Sequence, residues 1–205
     1  MDANEQKLLA AAKDPAISSR IVQGIADLER DYQLAEGYLS DWLIREINVA
    51  MRSAAPVPFE VATTAWSAII TCPEWKPTKR IGRGDVWLEI VEHAQDENDH
   101  TWLAAALGAG PTEMQLELNF RDGLAHYMNK LEADQGLVAK FKKKGFKIDL
   151  TGRRIYLPIA INANLLAKAF ATDDYDDAMA PVREATELGI AAKPEIDQLL
   201  QLVRK

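Results

Sequence analysis

Cysteine is all but absent from this chain. Its 205 residues hold one, Cys72, so no intrachain disulfide can form and no Cys-rich metal site can be built. Cys72 follows the apolar run Ile69-Ile70-Thr71, with no His/Cys signature around it, and reads as a small core side chain rather than a nucleophile. Long apolar stretches are missing too: nothing approaches the roughly 18 residues of a membrane span, and Met1–Lys7 is polar instead of a basic segment leading into an apolar one. The reading is therefore a soluble, cytoplasmic protein with no membrane partner. Internal repeats and low-complexity linkers are lacking. Ser18, Ser19, Ser40, Ser53 and Ser67 have no G-x-S-x-G context, so nothing supports a hydrolase triad. No motif names a reaction, and the balance leans away from an enzyme.

Positive charge is in deficit. Lys and Arg total 24 against 31 Asp and Glu, a formal charge of −7. Such a balance disfavours nonspecific nucleic-acid binding, which rests on neutralising phosphates. The apolar fraction of 48% is enough for a chain of this length to bury a core without disulfide or metal staples.

What is present is mostly pattern. Residues 4–13 read as a short helix ending near Asp14-Pro15. Ile17, Ile21, Ile25, Leu28, Tyr32, Ala35, Leu39 and Trp42 then recur at spacings of three and four, one stripe of a long helix with a bend expected near Gly37. Val22, Leu43, Ile47 and Ala50 widen the stripe, which predicts packing against a sheet or several helices, with a dimeric helix pair as the competitor. Strands are expected at Trp66–Thr71, Val86–Glu92, Trp102–Leu107 and, with the cleanest alternation, over Met114, Leu116, Leu118 and Phe120. A helix over 122–144, a hairpin of Lys147–Leu150 with Ile155–Ile159, and short terminal helices follow. The fold class is α+β: a central antiparallel sheet of about five or six strands, preceded by a long helix and followed by short C-terminal helices. The whole chain is read as one domain, 1–205, with a helical layer (1–55), a sheet with its helix (64–160) and C-terminal helices (163–205).

Candidate sites are few. Lys142, Lys143 and Lys144, with Arg153 and Arg154 in the next hairpin, and Lys79, Arg80 and Arg83 in a glycine-containing loop, are candidate phosphate contacts. Lysines in a last helical turn also answer the helix dipole, and that explanation suffices for the first group. His93 and His100 flank Asp96, Glu97 and Asp99 without a diagnostic ligand spacing. Tyr175, within an acidic run, is a candidate exposed aromatic for a partner. Trp75, between two prolines, is the tryptophan expected at the surface, whereas Trp66, Trp87 and Trp102 are expected in the core.

Asp85 opens one predicted strand, and Glu113, Gln115 and Glu117 lie on the wet face of another, after a helix carrying Glu46. Within residues 36–160 this order resembles the PD-(D/E)xK nuclease family. The resemblance implies a site in which Asp85 with Glu113 or Glu117 acts on a phosphodiester, Asp85 and Glu113 holding Mg²⁺ as the only cofactor. The departure is at the lysine, whose positions carry Gln115 and Asn119, and Trp102–Leu107 intervenes as an extra strand. Two readings follow: a non-enzymatic protein-interaction or regulatory module with an acidic surface, pairing with a partner protein or with itself as a homodimer and needing no cofactor, and a degenerate metal-dependent nuclease or nucleic-acid-binding relative of that family.

Overall fold

The computed structural model describes residues 3–63, 67–76, 84–96 and 100–204. Expectations at Trp66, Lys79, Arg80, Arg83, Glu97 and Asp99 lie outside these residues. The architecture is α+β, built on a six-stranded antiparallel sheet of order β1-β2-β3-β4-β6-β5. Its strands are β1 (Glu60–Thr63), β2 (Ala68–Thr71), β3 (Val86–Ala94), β4 (Thr112–Phe120), β5 (Lys147–Asp149) and β6 (Arg154–Ile159). The central pair β3–β4 runs in full register, from Val86 opposite Phe120 to Ala94 opposite Thr112.

Alternation along β3 and β4 gives the sheet two unlike faces. Leu88, Ile90, Met114, Leu116 and Leu118 share one face and are buried in the core. Helix α9 (Ala180–Ala191) packs closely on that face. A Cβ at Gly189 would lie 3.0 Å from the side chains of both Leu88 and Leu116, so a hydrogen there permits the approach. Helices α4 (Ser40–Ala54) and α10 (Lys193–Arg204) add Leu43, Ile47, Met51, Ile196, Leu199 and Val203 to the same core.

Two elements and four aromatic residues differ from the sequence reading. Trp102–Leu107 is helix α5, not a strand: Thr101 accepts a cap bond from the Ala104 amide at 3.1 Å, and Gly108 closes the helix in the left-handed region. The segment 122–144 is divided into a 3₁₀ turn, helix α6 (Tyr127–Ala133) and helix α7 (Gln135–Lys143), because Asp134 stops one helix and caps the next through the Leu137 amide. Trp75 is fully buried, its indole Nε1 donating to Asp197 Oδ1 at 2.8 Å. Tyr175 is buried as well, within an aromatic group with Trp42 and Phe170, and so is not an exposed partner-binding residue. Trp87 and Trp102 are half-buried rather than deep in the core.

N-terminal to the sheet lie α1 (Ala3–Ala12), α2 (Pro15–Gln23) and α3 (Ile25–Leu34), then a π-helical turn over Ala35–Leu39 that leads into α4. The long expected helix thus exists in sections, and the irregular turn contains Gly37, where the bend was expected. Helix α8 (Ala163–Thr172) precedes α9 and ends at Asp173, which takes the left-handed conformation. No described helix is long and apolar enough to cross a membrane.

Candidate functional site

Asp85 is buried at 3% exposure. Its carboxylate accepts from Arg121 and from Arg204, whose Nη2 lies 2.7 Å away. Its backbone is pinned as well, the amide donating to the Trp75 carbonyl at 2.8 Å and the carbonyl accepting from the Arg121 amide. Burial pushes the carboxyl up, but hydrogen bonds and charge from Arg121 and Arg204 outweigh it and hold Asp85 below the usual aspartate range.

The register separates the three expected carboxylates. Asp85 immediately precedes the Val86–Phe120 pair, whereas Glu117 lies opposite Glu89 and Glu113 opposite His93. Four and eight strand positions correspond to roughly 13 and 27 Å. Asp85 and Glu113 therefore do not share a metal, and the juxtaposition implied by the nuclease resemblance is corrected. Among the described residues no group of three or more His, Cys, Asp or Glu is arranged to hold a metal ion. His100 Nε2 is 2.7 Å from Asp96 Oδ1, within its own loop.

Glu113, Gln115 and Glu117 do share the polar face, as alternation requires, but that face is not simply wet. Gln115 is fully buried between Val91 and Pro158 on the two neighbouring strands, and its side-chain amide donates to Glu113 Oε1 at 2.6 Å. A strand flanked on both sides is partly shaded by its neighbours' side chains. Glu117 sits between Glu89 and Tyr156. Burial lifts its carboxyl above the ordinary glutamate range; the Arg154 charge opposes this, and the Glu89 carboxylate adds to it. His93, at the far end of the row, is lowered by burial and by Arg154, against the pull of Glu113 and Asp149.

A raised folded-state value means that the folded protein holds the Glu117 proton more tightly than the unfolded chain. Stability from this group is full at acid pH and declines as pH rises through the folded value. Glu117→Gln is expected to stabilise the protein by about 0.5–1 kcal/mol at pH 7. The gain should disappear near pH 4, as read from urea midpoints at the two pH values. An unchanged or lowered midpoint at pH 7 would contradict the assignment.

Two of the basic candidates are engaged within the chain. Arg154 pairs with Asp149 at 2.8 Å and lies over the Tyr156 ring, while Arg153 donates to the Ala125 carbonyl. Lys142 and Lys143 are exposed in the last turn of α7, where the helix dipole favours them. Lys144 is the C-cap of that helix.

The N-terminal arm, α2 and α3, is uncovered among the described residues. Asp14 starts it by accepting from the Ala16 amide at 2.8 Å, ahead of Pro15 in the first turn. Gly24 carries the chain onward: its amide donates to Arg20, and its carbonyl accepts from Asp27 and Leu28. None of the residues in α2 or α3 is buried. Ile25, Leu28 and Tyr32 are 49%, 50% and 49% exposed, and Ile21 and Val22 are exposed beside them. The expected packing of this stripe on the sheet or on other helices of the chain is therefore corrected. Burial along the stripe begins only with α4, at Ser40, Leu43 and Ile47.

The π turn sets where the stripe points. Each helical residue advances about 100°, and a π turn holds one residue more than an α turn. That extra residue brings Leu28 and Tyr32 of α3 into line with Ser40, Leu43 and Ile47, the face that α4 buries. Without it the stripe would run through Leu39, Glu46 and Ala50, to one side of the face that α4 buries. The arm thus prolongs a core-facing surface past the end of the core. Along its flank runs a groove of about 370 Å³ lined by Arg20, Ile21, Gly24, Asp27, Leu28 and Asp31.

Comparison with known protein families, with curated proteins and with solved structures finds no match for this chain. Any functional reading rests on geometry. The sequence reading located the stripe but not its polar rim, Arg20, Asp27 and Asp31; the signal available was their spacing of seven, four and eleven residues, which places all three beside Gly24 on one side of the stripe.

Proposed function

We propose that this protein is a non-enzymatic interaction module whose N-terminal helical arm docks onto another protein chain. The observation that supports this is the row Ile21, Ile25, Leu28 and Tyr32, left exposed on α2 and α3, the second of which leads through the π turn into the core helix α4. Contiguous apolar surface on a folded protein marks an interaction site, because leaving it in water forgoes roughly 25 cal/mol for each Å². The acidic balance of the chain keeps the body soluble while the arm seeks its partner.

The test separates docking from folding. The double variant Ile25→Asp/Leu28→Asp is expected to keep its urea midpoint, within about 0.5 kcal/mol of stability, because neither side chain is buried within the chain. The same variant is expected to lose arm-dependent association, measured by sedimentation velocity and by capture of bound protein on the tagged full chain. A large loss of stability would mean that the arm packs on its own body. Unchanged association in a folded variant would equally overturn the proposal.

A further inference from the structure

The groove on the arm carries charge of opposite sign at its two ends. Arg20 stands at one end, without an ion pair to any described residue, and Asp27 and Asp31 stand at the other. One arginine serves both carboxylates: Arg30 Nη1 is 3.0 Å from Asp27, and Arg30 Nη2 is 3.2 Å from Asp31. That end therefore keeps one uncompensated negative charge, while the Arg20 end keeps one positive. Between the two, Ile21 and Leu28 supply the apolar lining, with Gly24 beside them.

From this self-complementary pattern we infer that the arm's occupant is the arm of a second copy of the chain, packed antiparallel. The inference rests on the docking-arm reading above and names its partner. A two-fold axis crossing the groove between Gly24 and Leu28 sets Leu28 of each copy over Gly24 of the other, where the missing side chain allows close approach. The same operation brings Arg20 of each copy toward Asp31 of the other, since Arg20 in α2 and Asp31 in α3 stand at nearly equal numbers of positions on either side of the axis along the arm. Each rim then holds Arg20 from one copy with Asp27, Arg30 and Asp31 from the other, and the charges cancel. A parallel pairing would put Arg20 beside Arg20 and Asp31 beside Asp31. A partner with an unrelated, uniformly basic helix would satisfy the acidic end but would leave Arg20 facing like charge.

The experiment is a charge exchange in the full chain, read by sedimentation velocity over a concentration series, with far-UV circular dichroism to confirm that every variant is folded. The wild type is expected to show a reversible dimer. Arg20→Glu places Glu against Asp31, and Asp31→Arg places Arg against Arg20, so each single variant should weaken the dimer at least about tenfold. An equimolar mixture of the two single variants, each poor at pairing with itself, should associate again, because the mixed pair restores Glu with Arg on one rim and Asp with Arg on the other. The double variant Arg20→Glu/Asp31→Arg should also recover.

A wild type that stays monomeric throughout, singles that dimerise as well as wild type, or a mixture that remains monomeric would each overturn the antiparallel self-pairing. The docking-arm reading fails separately. If the chain is monomeric but Ile25→Asp/Leu28→Asp still removes a bound protein, the second copy is wrong and the docking arm stands. If that variant removes nothing, both fall.

Discussion

Replacing Trp75 by alanine is expected to cost about 4 kcal/mol of folding stability, the largest effect of any single change considered for this chain. The indole is wholly buried, packed edge-on against Phe59 with ring centres 5.8 Å apart. Removing it leaves a cavity that the surrounding elements can fill only in part, so the cavity adds to the lost transfer energy. The polar side of the loss is smaller. Asp197 loses the indole donor but keeps Lys193 at 2.6 Å and remains partly solvated. Trp75→Phe should therefore recover more than half of the loss, since most of the deficit is volume. Urea unfolding of the two variants checks both statements. A loss below about 1 kcal/mol for Trp75→Ala would mean that the loop carrying Trp75 does not seal the core as described.

Asp85→Ala is expected to cost about 3 kcal/mol at pH 7. Its carboxylate is the shared acceptor of two arginines from distant parts of the chain: Arg121, just past β4, and Arg204, at the end of α10. Removing a buried partner leaves the surviving charges uncompensated, although the two guanidinium groups are about a third exposed and regain some water. The pH dependence supplies an independent check. A folded-state value held below that of the unfolded chain contributes stability above the usual aspartate range, and that contribution disappears as pH falls through the folded value. The gap between wild type and Asp85→Ala should thus be full at pH 7 and should narrow steadily under acid conditions below about pH 4. A gap that stays constant over that range would assign the cost to packing instead of charge. A negligible gap at pH 7 would remove Asp85 from the structural role altogether.

Much of the sheet was legible because alternation is a local signal. Val86–Ala94 and Thr112–Phe120 announce themselves by period, and the Arg154–Ile159 hairpin by its turn. Trp102–Leu107 failed for an equally local reason: an aromatic and a leucine drew the strand reading, while the three alanines and the Thr101 cap spoke for a helix. Trp75 could not be placed from the sequence, because only the arrival of α10, more than a hundred positions later, encloses it. The candidate site divides in the same way. Glu113, Gln115 and Glu117 were correctly put on one face, yet their solvation depends on Val91, Pro158 and Tyr156 across the ladder, and no single strand carries that information. Asp85 belongs to the opposite end of β3 from His93, so register, invisible in the one-dimensional pattern, decides against a joint site with Glu113. The arm's stripe was plain in the sequence, but its exposure was not, because periodicity marks an apolar face without saying whether the chain itself covers it.

The five residues Ala35–Leu39 act as a gear between two parts of the molecule. Because one surplus residue there resets the rotation of α3, the exposed side chains Leu28 and Tyr32 are held at an azimuth fixed relative to α4 and the sheet it packs on. Substitutions along α3 change what that face presents, whereas a change in chain length within the single turn changes where it points.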